Sequence, residues 1–129
     1  MSRSTHRFFK TKAFGKLAAK AQVTDEELLR AGIELTHGRG DDLGGNVWKK
    51  RLHKNMFRSI VVGQINECWF FVYLYAKNNR ANIDHAEALG FKRLATLYRR
   101  MSAEQLADQI EIEELLEIVR DDDEAPIQE

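Results

Sequence analysis

The chain has 129 residues, of which 43% are apolar and 31% charged, enough for one domain with a real core and too apolar for a disordered polymer. Its formal net charge is zero, yet the signs are segregated: residues 1–100 carry 19 Lys and Arg against 9 acidic residues, and residues 101–129 carry Arg120 alone against 11. Such a basic body suits a polyanionic partner, or else the two surfaces simply neutralise one another. Residues 1–5 lack the apolar run and cleavage site of a secretory signal, and the longest apolar stretch, 68–76, is about half of what a membrane helix needs. Cys68 is the single cysteine, so no intramolecular disulfide can form, and a buried structural thiol is expected there. The expected location is the cytoplasm, with no membrane partner.

In chain order, residues 3–10 read as a strand, with Phe8 and Phe9 supplying bulk and β propensity. Residues 11–20 place Phe14, Leu17 and Ala18 at helical spacing, with Lys12, Lys16 and Lys20 along another face. Thr24, three residues before Glu27, has the form of a capping box that opens a second helix through Leu28, Leu29, Ile33 and Leu35. Residues 37–45 hold four of the eight glycines and read as an irregular connector. They lack the Gly-Lys-Ser/Thr ending of a phosphate loop and the GxGxxG spacing of a dinucleotide site.

Three strands follow. Residues 46–52 alternate Val47, Lys49 and Arg51 on one side with Trp48, Lys50 and Leu52 on the other. A turn at 53–57 leads to a β-branched strand at 58–65, and Asn66-Glu67 is a two-residue turn into 68–76. That last run is almost wholly apolar and aromatic, the mark of a central strand covered on both faces. A helix is expected over 84–100 with Ala88, Phe91, Leu94, Ala95 and Tyr98 buried. Ser102 caps a short helix, and 113–119 can end a helix or form a last strand. The expected fold is therefore α+β, a twisted and mainly antiparallel sheet in the order β-α-α-β-β-β-α with helices packed on one face. It is expected as a single domain over 1–120, with a core at about 5–100, an acidic appendage at 101–120 and a disordered acidic tail at 121–129.

The chemistry-bearing motifs are few. No HExxH, CxxC or GxSxG occurs, and His6, His37, His53 and His85 are scattered among polar residues, so neither a metal nor another cofactor is expected. What remains is a basic set borne on consecutive strands: Lys49 and Arg51, then Arg58, then Lys77 and Arg80 just past the aromatic strand. Neighbouring strands are about 5 Å apart, so these cations can converge. Converging cations bind phosphates and stabilise the charge that builds on a phosphate under attack by a 2′-hydroxyl. They also make an ordinary solubilising strand face.

The stretches Asp42-Leu43-Gly44-Gly45-Asn46-Val47-Trp48-Lys49-Lys50-Arg51-Leu52, Phe57-Arg58-Ser59-Ile60-Val61 and Phe71-Val72-Tyr73-Leu74-Tyr75-Ala76-Lys77-Asn78-Asn79-Arg80-Ala81-Asn82-Ile83 together resemble the RelE/ParE superfamily, in particular the HigB-like RelE branch of type II toxin–antitoxin toxins. The resemblance spans about residues 5–100. It implies an endoribonuclease that cleaves messenger RNA, in many members on the ribosome, and a cognate antitoxin, expected to be a helix-turn-helix protein. The family's catalytic positions fall on Lys49, Arg51 and Arg58, with Lys77 and Arg80 matching its basic segment after the meander. Lys50, Lys54, Asn78 and His85 are the expected flanking RNA contacts. Where some members carry a tyrosine at the start of the last helix, this chain has Asp84 and His85, and His85 is either a substitute general acid or a surface residue. Two other readings stay open: a non-catalytic toxin that binds a protein target such as gyrase, and a degenerate module that binds only an antitoxin or nucleic acid.

Overall fold

The structure is a computed structural model that describes residues 6–119; the start of the expected first strand and the tail at 121–129 lie outside the described residues. Ten elements follow one another: β1 (Arg7–Thr11), α1 (Lys12–Ala21), α2 (Asp25–Thr36), β2 (Asp41–Gly44), β3 (Val47–Leu52), β4 (Phe57–Ile65), β5 (Cys68–Ala76), α3 (His85–Arg100), α4 (Ala103–Glu111) and β6 (Leu115–Ile118). The six strands form one sheet in the order β2-β3-β4-β5-β1-β6. Only the β1–β5 pairing is parallel, so the sheet is mainly antiparallel and the chain is α+β, as the pattern of strands and helices predicts.

Side-chain alternation divides the core in two. Phe8, Val61, Trp69 and Phe71 pack with Phe14, Ala18, Leu28 and Leu35 of α1 and α2. Phe9, Ile60, Val62 and Phe70 pack with Ala88, Phe91, Leu94 and Ala95 of α3 and with Leu106 and Ile110 of α4. The expectation of helices on one face thus describes α1 and α2, while α3 lies against residues of the opposite parity. β5 is covered on both sides, as its unbroken apolar run requires. Cys68 is buried, and burial pushes its thiol pKa up, as a structural thiol requires.

Local chemistry explains the boundaries. The Thr11 hydroxyl accepts the Phe14 N–H at 3.0 Å and turns the chain straight from β1 into α1. Thr24 likewise accepts the Glu27 N–H at 3.1 Å. The reciprocal arm of the expected capping box is not made, because the Glu27 carboxylate instead accepts the backbone N–H of His53 in the β3–β4 loop, tying that hairpin to α2. Asp84 and Ser102 do form complete capping boxes, with Glu87 and Gln105. Asn66 and Glu67 both have positive φ, 49° and 63°, the geometry that lets a two-residue turn follow the strand twist.

Two expectations need correction. The glycine-rich segment 37–45 is not wholly irregular: it contains β2, in which Asp41 and Asp42 pair with Lys49 and Trp48. Edge pairing of this kind uses backbone groups and needs no apolar side chains, so composition did not signal it. Residues 101–120, expected as an appendage to a core at about 5–100, contain the expected short helix as α4 and the last strand as β6, and Leu115 and Ile118 are buried against the sheet, within the core.

Gly32 shows how closely α2 approaches β1: a Cβ there would lie 2.5 Å from Cδ1 of the buried Phe8 ring. Alanine would gain about 1 kcal/mol of helix propensity, but forcing the ring aside costs about 1–3 kcal/mol. Gly32→Ala is therefore expected to lower stability, read as an earlier midpoint in denaturant unfolding with an unchanged slope.

Candidate nucleic-acid interface

The face of the sheet that carries α3 is only partly covered, and its uncovered part is basic. Val47 of β3 is buried in the α3 cluster, so Lys49 and Arg51, of the same parity, lie on that face too. Lys49 is directly opposite Ile60, and Arg51 directly opposite Arg58. In an antiparallel pair, opposed residues share a face with their Cβ atoms about 5 Å apart. Two arginines thus stand side by side with no carboxylate between them.

β5 adds two residues to these rows through an irregularity. Ile60 pairs with Tyr73 but Val61 with Phe71, so Val72 is an extra residue, a bulge. Before it, Phe70 points to the α3 face and Phe71 to the α1–α2 face. After it the parity is reversed, and Tyr73 and Tyr75 come onto the α3 face while Leu74 packs opposite. The rows across β3, β4 and β5 therefore read Lys49–Ile60–Tyr73 and Arg51–Arg58–Tyr75.

Arg58 is half-buried, and its guanidinium donates to the Asn55 and Phe57 carbonyls at 3.2 and 3.3 Å. Tyr75 is 6% exposed, and its hydroxyl has no hydrogen-bond partner among the described residues. Burial pushes the Tyr75 phenol up, against the opposing pull of Arg58 and Arg80. Arg80 reaches this row from the loop after β5: its guanidinium carbon lies 5.5 Å from the centre of the Tyr75 ring.

Arg80 is already engaged. It donates to both oxygens of Glu87 at 3.0 and 2.5 Å and to the Asn82 carbonyl at 3.0 Å. Glu87 in turn accepts the Asp84 N–H at 2.8 Å, so the capping box of α3 holds the arginine. The Arg80 guanidinium and the Asp84 amide keep the Glu87 carboxyl below its ordinary range. A lowered carboxyl pKa means the pair is intact above that range and lost only as pH falls through the depressed value.

Of the sequence-predicted residues, Lys49, Arg51 and Arg58 are brought together on one face, with Arg80 beside them at Tyr75. Lys77 follows β5 at the same end of the sheet, where its N–H donates to the Met56 carbonyl at 3.0 Å, and Lys77 and Asn78 are exposed. Lys54 is exposed in the β3–β4 loop, where His53, Lys54 and Asn55 all have positive φ. His85 is the first residue of α3 and is exposed. Lys50 is not with them. It lies on the opposite face, where it pairs with Glu34 at 2.7 Å and donates to the Arg39 carbonyl at 2.8 Å, fastening α2 to β3. Tyr73, Tyr75 and Glu87 were missed by sequence reasoning. Strict alternation puts both tyrosines on the wrong side, and only the bulge brings them round. Among the described residues, no group of three or more His, Cys, Asp or Glu is placed to hold a metal ion, and no helix is long and apolar enough to cross a membrane.

Fold and site together define a small α+β protein with a cationic sheet face. A family model described as the RelE toxin of the RelE/RelB toxin–antitoxin system matches residues 6–118, and the chain belongs to this family of toxins. Membership makes a cognate antitoxin its partner class. A search of curated proteins returned no match.

Glu87→Gln keeps a residue able to complete the capping box but frees Arg80 and removes a negative charge beside it. Since exposed ion pairs contribute at most about 1 kcal/mol, stability should change little. Affinity for single-stranded RNA at low salt should rise, with a steeper dependence on salt than in the wild type. Both are read from binding isotherms across a salt series.

Proposed function

We propose that this toxin is a HigB-like, metal-independent endoribonuclease acting in the cytoplasm, one that cleaves messenger RNA, on the ribosome, and so blocks translation. The observation that carries the reading is the Arg51–Arg58 pairing. Like charges directly opposed in a sheet are destabilising, so a strand pair selected for stability alone would avoid them. A phosphodiester placed over that pair turns the repulsion into attraction.

In this mechanism Arg51 and Arg58 bind the non-bridging oxygens of the scissile phosphate, Arg fitting them bidentately. Their hold tightens as charge accumulates during attack. The 2′-oxygen forms a bond to phosphorus and the bond to the 5′-oxygen breaks, leaving a 2′,3′-cyclic phosphate. Lys49 adds its charge beside the phosphate, the 2′-hydroxyl proton passes to water, and the 5′-oxygen leaves with a proton from water, which the open face admits. Lys77, Lys54, Asn78 and His85 hold flanking nucleotides, and Arg80 joins them once a phosphate displaces Glu87. Lys50 serves the α2–β3 junction in this reading.

Cleavage of messenger RNA on purified ribosomes should persist in EDTA and leave 2′,3′-cyclic or 3′-phosphate ends. Arg58→Ala should reduce it by about 10²- to 10³-fold, with a melting temperature close to that of the wild type. Activity abolished by chelation and restored by a divalent cation would contradict the mechanism. An early arrest of DNA synthesis instead of translation after induction would point to a protein target.

A further inference from the structure

The turn between β3 and β4 is held in a conformation that its residues do not favour. His53, Lys54 and Asn55 have φ of 57°, 55° and 72°, in the left-handed region that residues with a Cβ rarely adopt. Three such residues in succession persist only where the surrounding contacts over-determine them. Glu27 of α2 supplies the outermost of these contacts: its carboxylate accepts the His53 backbone N–H, and Oε1 lies 3.3 Å from Nδ1 of the His53 ring. The Met56 N–H closes the turn on the His53 carbonyl at 3.1 Å. The His53 ring stands edge-on to Phe57, with 5.8 Å between ring centres.

The basic residues of the proposed site are fastened to this turn. Arg51 lies just before it and Lys54 stands in it. The Asn55 carbonyl accepts the Arg58 guanidinium at 3.2 Å, and the Met56 carbonyl accepts the Lys77 N–H at 3.0 Å. An unbroken run of backbone and hydrogen bonds therefore leads from Glu27 through the turn to Arg58 and Lys77. Glu27 itself makes no hydrogen bond or ion pair with Lys49, Arg51 or Arg58 among the described residues. It stands third in α2, where a carboxylate can cap its own helix, yet it serves the turn instead.

We infer that Glu27 is a positioning residue for cleavage: it holds the His53–Asn55 turn left-handed, and the turn fixes where Lys54 and the Arg58 guanidinium stand. The inference rests on the endoribonuclease reading above and adds a residue of α2, from the other side of the sheet, to that reaction. Phosphate affinity follows the number of cations, which Glu27 does not alter. The rate follows how well the charge donors are preorganised, and a misplacement of about 1 Å costs up to about 100-fold. Loss of the anchor is therefore expected to lower kcat and to leave KM unchanged.

The test is cleavage of messenger RNA on purified ribosomes by the full-length protein, with kcat and KM measured for three variants at a temperature where unfolding curves show each one folded. Glu27→Gln removes the charge but keeps an oxygen within reach of the His53 N–H, and should cleave within about threefold of the wild type. Glu27→Asp keeps the charge and the acidic first turn of α2 but is one methylene too short for that bond. Its kcat should fall about tenfold at unchanged KM. Glu27→Ala should lose about 10- to 100-fold, and Glu27→Asp carries the test should the alanine variant fail to fold. A wild-type rate for Glu27→Asp, or a larger loss with Glu27→Gln than with Glu27→Asp, would overturn the positioning role and leave the ribonuclease reading standing. A change confined to KM would do the same. Failure of the wild type to cleave would overturn that reading and this inference with it.

Discussion

β5 is the strand on which the other parts take their register. β4 pairs along one edge and β1 along part of the other, while α1 and α2 pack on the face of Trp69 and Phe71 and α3 on the face of Phe70. Fully buried aromatic side chains on both faces fix the strand against any slip, because a one-residue shift would exchange the two core clusters. Against that fixed frame the extra residue Val72 has a defined effect. It rotates Tyr73 and Tyr75 onto the face of Lys49, Arg51 and Arg58, and the proposed RNA surface begins where the regular sheet ends.

That surface departs from what stability alone would choose. Opposed arginines cost about 0.2–1 kcal/mol relative to a neutral pair, and a buried hydroxyl without a partner costs about 1–3 kcal/mol. The departures are concentrated in one row, Arg51–Arg58–Tyr75. Three cations elsewhere have carboxylate partners: Arg7 pairs with Glu117, Lys10 with Asp25 and Lys50 with Glu34. Glu117 lies on β6, across β5 and β1 from the basic row, so this part of the acidic C-terminal segment neutralises Arg7 at the far edge of the sheet. The like-charged pair and the unpartnered Tyr75 hydroxyl in a single row are the physical case for the proposed phosphate ligand.

Much of this could be read from the sequence, because periodicity reports burial. The alternation of 46–52 gave the two faces of β3 correctly, and the spacing of Phe91, Leu94, Ala95 and Tyr98 gave the buried side of α3. Turn chemistry at Asn66-Glu67 and capping at Asp84 and Ser102 were equally plain, since these signals are local. What escaped depends on distant partners. The bulge at Val72 is defined only by pairing with β4. β2 is held by backbone bonds to β3, and Glu27 leaves its own helix cap for His53. Lys49 and Lys50 are adjacent in sequence and identical in type, yet Glu34 claims one of them for the opposite face.

The central claim is that Arg51 stays opposite Arg58 for a phosphate and at the expense of the sheet. Arg51 is exposed and makes no ion pair among the described residues, so replacing it with threonine removes like-charge repulsion and adds a good strand former. Unfolding and ribosome-dependent cleavage measured together on Arg51→Thr test this directly. The account predicts a melting temperature equal to or above that of the wild type, together with a loss of cleavage of about 100-fold or more. A destabilised protein that still cleaves at the wild-type rate would contradict it.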